Sequence, residues 1–583
     1  MHAGQAQTAL RGAQALLAGD LPAARTSSDL ARSELDEATS AAMTPQMRLL
    51  SLVPMPGNPV LDAQLLVRAA SLVGDATGEV VDVYTRVAGS DPGAPRLFSG
   101  GQVDLAGLDS VRDSVRDVHD TLALAERQLQ AVSATFPGTE RLADARDAAL
   151  AEVQPTLSTV DRLDDALLLL PGAVGAQGAR TYLVTILNQA ELRASGGTPL
   201  SVAVVSFDQG RFTVLRRAAV AQLPWPYGFL LSWRGAPGSP FNDSQGFRSG
   251  PFQNSNFHPD FRSAGNDLVN AWNVAGYGRV DGVIAIDVQA IAEVLRTTGP
   301  IPDSPYGELT ADNLGQKLLI DGYRDFADDQ TARQTANQKV VDTMLERITS
   351  GGSLLGVVRG LGTAAAGRHF QVWMADPALQ SQVEQLGIDG AVRGPQGDQV
   401  GVFSQNANAS KVDVFQRRKI AVTAKVRADG SARVTQRIRI TNAVPADLPR
   451  TEERTGYTTT WSGSGYYVYR PPAATRVSVD LPRDWVPLSW RDYQQWTDDG
   501  HGHTMTRFKG ELAPRRSAVV TVSYDLPPGT FGSDGRLVYS VHVDPQAIWQ
   551  PAVVSVTAVG PSGARTTATR TVVEPTTLTI PVS

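Results

Sequence analysis

The sequence predicts a multidomain protein of three parts, α then α/β then β. These are an amino-terminal helical region over 1–165, a central layered α/β domain over 172–400 and a carboxyl-terminal immunoglobulin-like β-sandwich over 410–583. Three observations predict this. The chain has 583 residues, enough for about three cores at roughly 100–200 residues each. Up to about 165 it is rich in Ala, Leu, Arg and Asp, with apolar positions at helical spacing. Beyond 410 it alternates apolar and polar residues between turns of Pro, Gly and Ser, and between the two blocks strand and helix periods take turns.

In the first block, "LRGAQALLAGDLPAARTSSDLARSELDEA" reads as a helical hairpin. One helix runs to Ala18 and closes at Gly19, Asp20 caps the next, and Pro22 occupies a first-turn position where proline is tolerated. Leu108, Val111, Val115, Val118, Leu122 and Leu129 form the apolar stripe of a long amphipathic helix. In the second block "TYLVTIL" is a buried strand, and "LSVAVVSF" and "RFTVL" are strands joined across "DQG". "DGVIAID" feeds the helix "VQAIAEVLRTT", with Asp287 as its cap and Gly299-Pro300 as its stop. In the third block "KIAVTAKVRADGSARVTQRIRI" is a hairpin about Asp429-Gly430, followed by strands at "TRVSVDL", "SAVVTVSY" and "AVVSVTAV".

A formal charge of −6, with 42% apolar and 19% charged residues, supplies no basic field and argues against nucleic acid as a partner. The absence of cysteine excludes disulfides, thiolate catalysis and cysteine-ligated metals. The windows Ala166–Ala179 and Ala218–Trp233 are too short and too interrupted by Pro and Gly to span a bilayer. No signal-peptide pattern follows Met1, so the expectation is either a cytoplasmic protein or a chain beginning after an export segment. Nucleophile-elbow, His-Glu-x-x-His and P-loop motifs do not occur.

The stretch "NQAELRASGGT", Asn188 to Thr198, reads as a loop leaving the carboxyl end of the strand Thr181–Leu187, where ligands collect in layered α/β sheets. Gly196 and Gly197 would let backbone approach a ligand or simply reverse the chain. Glu191 and Arg193 would either meet a ligand or pair with each other. The long segment "FNDSQGFRSGPFQNSNFHPDFRSAGN" offers Arg248, Asn254, Asn256, His258, Asp260 and Arg262 to sugar hydroxyls, phosphate or metal, or to one another. His501 and His503, near Asp498 and Asp499, read as a glycine-rich hairpin loop more readily than as a metal site.

"LVTILNQAELRASGGTPLSVAVVSFDQGRF", followed in order by "HPDF", "GRVDGVIAIDVQAIAEVLRTTGPI", "ADN" and "NASKVD", resembles the bacterial cell-surface family catalogued as domain of unknown function 4012. The resemblance covers most of 170–440. It implies an extracytoplasmic protein anchored at the cell surface through a membrane helix upstream of residue 1. More remotely, "YRDFADDQTARQTANQKVVDTMLERI" resembles the LytR-CpsA-Psr phosphotransferases, which move a glycopolymer from a polyprenyl-pyrophosphate carrier onto the cell wall with a divalent metal. The matching positions are Arg324, Asp328, Asp329, Arg333 and Gln334. The Pro-Arg-Asp-Thr element of those enzymes is missing, and "PRDW" at Pro482–Trp485 falls in the predicted sandwich.

The resemblance implies a central domain similar to those enzymes. With Arg193 added from the stretch after the strand, the reading gives catalytic roles to Arg193, Arg324, Arg333 and Asp329, with Asp328 and Asp329 holding Mg²⁺ or another divalent metal. Asn188, Glu191, Gly196, Gly197, Arg248, Asn254, Asp260, Arg262 and Gln334 would bind substrate. Guanidinium groups suit phosphate oxygens bidentately and carboxylates suit Mg²⁺. Equally, the Asp pair would cap the helix that follows and pair with Arg333. Two functions are therefore expected: a phosphotransferase handling a lipid-linked glycan and cell-wall polymer, or a non-catalytic envelope protein binding glycan or protein.

Overall fold

The computed structural model describes residues 21–53, 58–87, 97–225, 251–326, 329–349, 354–394, 397–448, 453–482, 494–496, 499–532 and 537–582. They fall into two compact units. The first takes the described residues among 1–179, 207–212 and 349–355, and the second takes the remainder.

The first unit is a helical bundle built from Leu21–Ala42, Pro59–Val87, Leu105–Gln130 and Glu140–Ala173, with the short helix Pro45–Ser51. Pro22 stands in the first turn, as expected, while the helix predicted before it lies outside the described residues. Asp104 caps the third long helix by accepting from the Gly107 nitrogen. The predicted stripe Leu108, Val111, Val115, Val118, Leu122 and Leu129 is buried along it, packed against Ala69, Ala76, Val83, Val153 and Val160. A two-residue ribbon, β1 (Phe98–Ser99) and β2 (Gln102–Val103), belongs to this unit. No described helix is long and apolar enough to cross a membrane.

In the second unit β3 (Arg180–Arg193), β4 (Gly196–Asp208), β5 (Arg211–Ala219), β6 (Gly282–Asp287) and β7 (Phe370–Met374) are ordered β5-β4-β3-β6-β7. β3 and β6 are parallel from Tyr182↔Gly282 to Leu187↔Asp287, and β7 is antiparallel to β6. The helix Phe261–Val274 covers one face, where Leu268 and Trp272 meet Leu183, Leu187 and Val283. Val288–Thr298 and Gln330–Thr349 cover the other, with Ile291, Leu295, Val340 and Met344 packed near Ala190. Asp287 caps the first of these through the Ala290 nitrogen, and Gly299 ends it at φ 87°.

One expectation is corrected here. "NQAELRASGGT" is not a loop, because β3 runs through Asn188 to Arg193, turns at Ala194-Ser195 and returns as β4. The glycines serve this hairpin. Gly196 adopts φ 142°, and a Cβ built on Gly197 would fall 2.6 Å from the Asn188 nitrogen, so only glycine lets the two backbones approach.

The carboxyl-terminal strands form two six-stranded sheets. They are β8 (Asp398–Asn406), β9 (Gln416–Val426), β10 (Ala432–Asn442), β11 (Ser462–Arg470), β12 (Thr475–Asp480), β13 (Gln494–Trp496), β14 (Thr504–Leu512), β15 (Ser517–Leu526), β16 (Leu537–Asp544), β17 (Ala552–Val559), β18 (Arg565–Val572) and β19 (Thr576–Val582). The orders are β12-β15-β10-β9-β17-β18 and β13-β14-β11-β8-β16-β19, antiparallel except for β8–β16 and β9–β17. Alternation along β9 and β10 buries Ile420, Val422, Ala424, Val434, Ile438 and Ile440 in a core shared with Val402, Tyr466, Val468 and Phe508. The face of β8, β11 and β14 turned away from that core carries Phe403, Tyr467, Tyr469 and Met505, which pack with Ala194 of the β3–β4 turn.

Candidate functional site

Arg193 ends β3 and is 5% exposed. Its Nε donates to the Gln253 carbonyl at 3.1 Å and Nη1 to the Leu192 carbonyl at 2.9 Å. Nη2 donates to Glu191 Oε1 and to Asn254 Oδ1, each at 3.0 Å. Four of its five N–H groups thus end on the protein itself, and the guanidinium lies over the Phe257 ring at 5.3 Å. Burial pushes its pKa down to about 10, with Asp413 opposing. Arg193 therefore ties the β3–β4 hairpin to the 251–262 segment.

Glu191 accepts from Arg193 and, through its other oxygen, from the Lys411 ammonium. Burial draws Lys411 down to about 8, against the charge of Asp413. Lys411 lies 5.1 Å from the Tyr457 ring centroid, and the Arg333 guanidinium lies over the same ring at 4.9 Å and over Tyr323 at 4.2 Å. Tyr323 in turn receives a hydrogen bond from Asn188, whose Oδ1 accepts from the Ala190 nitrogen. The structure thus links Arg193 and Arg333 through Glu191, Lys411 and Tyr457.

Arg333 differs from Arg193 in one respect. It is 4% exposed, yet its guanidinium makes no hydrogen bond or ion pair with any described residue. Ring contacts contribute ~0.5–2 kcal/mol each, whereas an unpaired buried ion costs several kcal/mol. Beside it the Tyr457 hydroxyl is buried without a partner among the described residues. Arg193 and Lys411 are two cations near the carboxylates Glu191 and Asp413, and burial raises Asp413 to about 6.

The other expected residues are placed as follows. Arg324 is exposed and pairs with Asp321 and Asp325. Asp329 is exposed and caps Gln330–Thr349 by accepting from the Ala332 nitrogen at 2.8 Å. Gln334 accepts a 3.4 Å bond from Gln222. Asp260 is fully buried, caps Phe261–Val274, receives Arg262 at 2.7 Å and accepts from the Val392 nitrogen. Asn256 donates to the Gly197 carbonyl. His258 reaches the Asp499 carbonyl, His503 pairs with Asp499 at 3.0 Å, and His501 meets Ser263 at 2.8 Å. His503 is 4% exposed, and its pairing with Asp499 anchors this hairpin. Arg248, Asp328, Asp498 and residues 483–485 of "PRDW" lie outside the described residues.

The described residues assemble no group of three His, Asp or Glu side chains able to hold a metal ion. Asp329, one of the two expected ligands of Mg²⁺, spends its Oδ1 on a helix cap. A cavity of about 260 Å³ lies between the β3–β4 hairpin and the sandwich, walled by Glu191, Arg193, Gln405 and Lys509 together with Phe257 and Ala407. Arg333 is not on its wall. Sequence reading missed Tyr323, Tyr457, Gln405, Arg507 and Lys509. Only the spacing of two between Arg507 and Lys509, which puts both on one face of a strand, was legible.

No curated protein matches this chain. Among solved structures it is similar to protein gbs0355 of Streptococcus agalactiae, at 15% identity over 37% of this chain and 76% of that one, with a TM-score of 0.25. It is also similar to a candidate nutrient binding protein of Legionella pneumophila, at 7% identity over 27% and 54% of the two chains, with a TM-score of 0.18. Neither likeness links the chain to the LytR-CpsA-Psr phosphotransferases. The stretch from just before β3 to Tyr323 has a family counterpart, for residues 177–323 match the family described as Protein of unknown function (DUF4012).

Proposed function

We propose that this is a non-catalytic protein of the cell envelope, held outside the cytoplasm by an upstream membrane anchor. In this reading it binds an anionic group of a lipid-linked glycan at Arg333. The observation that supports the reading is the buried Arg333, its guanidinium stacked between Tyr323 and Tyr457 with no counter-ion among the described residues. A pyrophosphate oxygen would supply the missing charge and accept from the guanidinium edge, which stacking leaves open. The Tyr457 hydroxyl, without a partner among the described residues, is a further donor beside it. Transfer chemistry has weaker support, since Arg324 and Asp329 are engaged in an ion pair and a helix cap.

The test is calorimetric binding of inorganic pyrophosphate and a short polyprenyl pyrophosphate to the wild type and to Arg333→Gln, with turnover assayed with and without Mg²⁺. Binding that weakens at least about tenfold in the variant, without turnover, is expected. Equal binding by the variant would sink the reading. Mg²⁺-dependent turnover would replace it with the phosphotransferase.

A further inference from the structure

A second site, separate from Arg333, opens between the end of β6 and the sandwich. Asp287 closes β6 and is 1% exposed. One of its oxygens caps Val288–Thr298 through the Ala290 nitrogen at 3.0 Å, and the other accepts from His369 Nδ1 at 2.7 Å. The backbone repeats the pairing. The Asp287 nitrogen donates to the His369 carbonyl at 3.2 Å, and the His369 nitrogen to the Ala364 carbonyl at 2.9 Å. His369 reaches this place because Arg368 turns the chain in the left-handed region, at φ 63°, a conformation costly for a residue with a Cβ. The buried Arg368 guanidinium holds that turn by donating to the carbonyls of Pro259, Gly390 and Pro545.

The imidazole is thus fixed in place and in tautomer. An ionised carboxylate only accepts, so the proton of the Asp287 bond is on Nδ1 and the neutral ring carries its lone pair on Nε2. Gln189, the other neighbour of the ring, stands on the Nδ1 side at 3.5 Å, and Nε2 meets no donor among the described residues. Gly367 keeps the Nε2 edge open, since a Cβ built there would stand 2.7 Å from Cδ2 and 3.2 Å from Nε2. The ring lines a cleft of about 560 Å³ whose walls include Glu293, Ile548, Trp549, Val573 and Glu574. Among the described residues neither Lys nor Arg stands on this wall. Glu293 shares its charge with Arg296 at 3.5 Å, whereas the exposed Glu574 carboxylate pairs with no cation among the described residues.

We infer that this cleft binds an organic primary ammonium, the amine of a sugar or of a lysine side chain. One N–H donates to His369 Nε2, the carboxylates of Glu574 and Glu293 supply the opposite charge, and the body of the ligand lies against Ile548, Trp549 and Val573. The same groups reject the alternatives. An anion meets carboxylates and no cation, and a quaternary ammonium has no N–H to give Nε2. A bare metal ion finds no group of three ligands among the described residues. The volume lies within the roughly 300–1,000 Å³ of small-molecule pockets, so the amine brings a ring or a chain with it. The site takes the charge opposite to the one proposed for Arg333, which makes the two separable by experiment.

The experiment is calorimetric titration of the whole protein with D-glucosamine, Nα-acetyl-L-lysine amide, choline and D-glucose. Two variants accompany it. His369→Leu removes Nε2, and Glu574→Gln removes an exposed charge without disturbing the core, which guards against the first variant failing to fold. At least one of the two primary amines is expected to bind, with choline and glucose each at least about tenfold weaker. Glucosamine as the tighter amine identifies a sugar source, and the lysine amide a peptide source. His369→Leu should abolish the binding and Glu574→Gln weaken it at least about threefold. The inference is overturned if neither amine binds, if choline or glucose binds as tightly, or if either variant binds unchanged. None of these outcomes touches pyrophosphate binding at Arg333.

Discussion

Replacing Arg193 by Ala tests whether the end of β3 is a ligand site or a structural corner. A ligand-facing arginine repels its neighbours when the site is empty, so its removal would leave stability nearly unchanged. The contacts here argue the opposite. The substitution strips donors from the Gln253 and Leu192 carbonyls and from Asn254 Oδ1, and leaves Glu191 with Lys411 alone. Each buried acceptor left unmatched costs ~1–3 kcal/mol. Water entering from the adjoining cavity softens part of that loss, while breaking one side of a buried ion pair costs ~3–5 kcal/mol. A net destabilisation of about 3–5 kcal/mol is expected. Urea unfolding followed by tryptophan fluorescence suits the test, because all nine tryptophans lie between 225 and 549, beyond the helical unit. The midpoint should fall with little change in slope. An unchanged midpoint would refute the structural account of Arg193.

Two further outcomes are expected. Asp398 is buried in the sandwich, accepts from the Tyr524 and Tyr539 hydroxyls and has its carboxyl pushed up to about 6 by burial. The fold favours its neutral form, so this stability is full below the unfolded value of ~3.9 and is lost as pH rises through about 6. The loss is about 3 kcal/mol at ~1.36 kcal/mol per unit. Urea midpoints measured from pH 4 to 7 should therefore fall less steeply in Asp398→Asn, although Asp413, raised for the same reason, keeps its own share. Gly197→Ala forces a methyl against the Asn188 backbone, which cannot swing aside as a side chain would. It should cost at least ~3 kcal/mol in the same urea assay, and a near-neutral result would remove the reason given for this glycine.

The sequence by itself determined the elements, because the signals that form them are local. Period-two alternation placed the strands of "KIAVTAKVRADGSARVTQRIRI", and the helical stripe from Leu108 to Leu129 placed its helix. Asp287 and Gly299 set the limits of Val288–Thr298. It also gave the exact stretch where two strands meet, yet mistook it for a loop. Polar residues and two glycines look the same in a ligand loop and in a hairpin whose backbones touch, and only the position of Asn188 against Gly197 tells them apart.

The tertiary structure alone decided what each arginine does. Arg193 and Arg333 carry the same group, and both are buried. Arg193 is neutralised by Glu191 and by acceptors some sixty residues further along the chain, at Gln253 and Asn254. Arg333 meets two tyrosines, one of them Tyr457 from the segment between β10 and β11, and no acid among the described residues. The cleft at His369 likewise exists only because the chain at 548–551 and 573–574 packs beside the turn before β7. Charge compensation and empty space depend on distances between residues far apart in the chain, and those distances are set by packing, which no local pattern encodes.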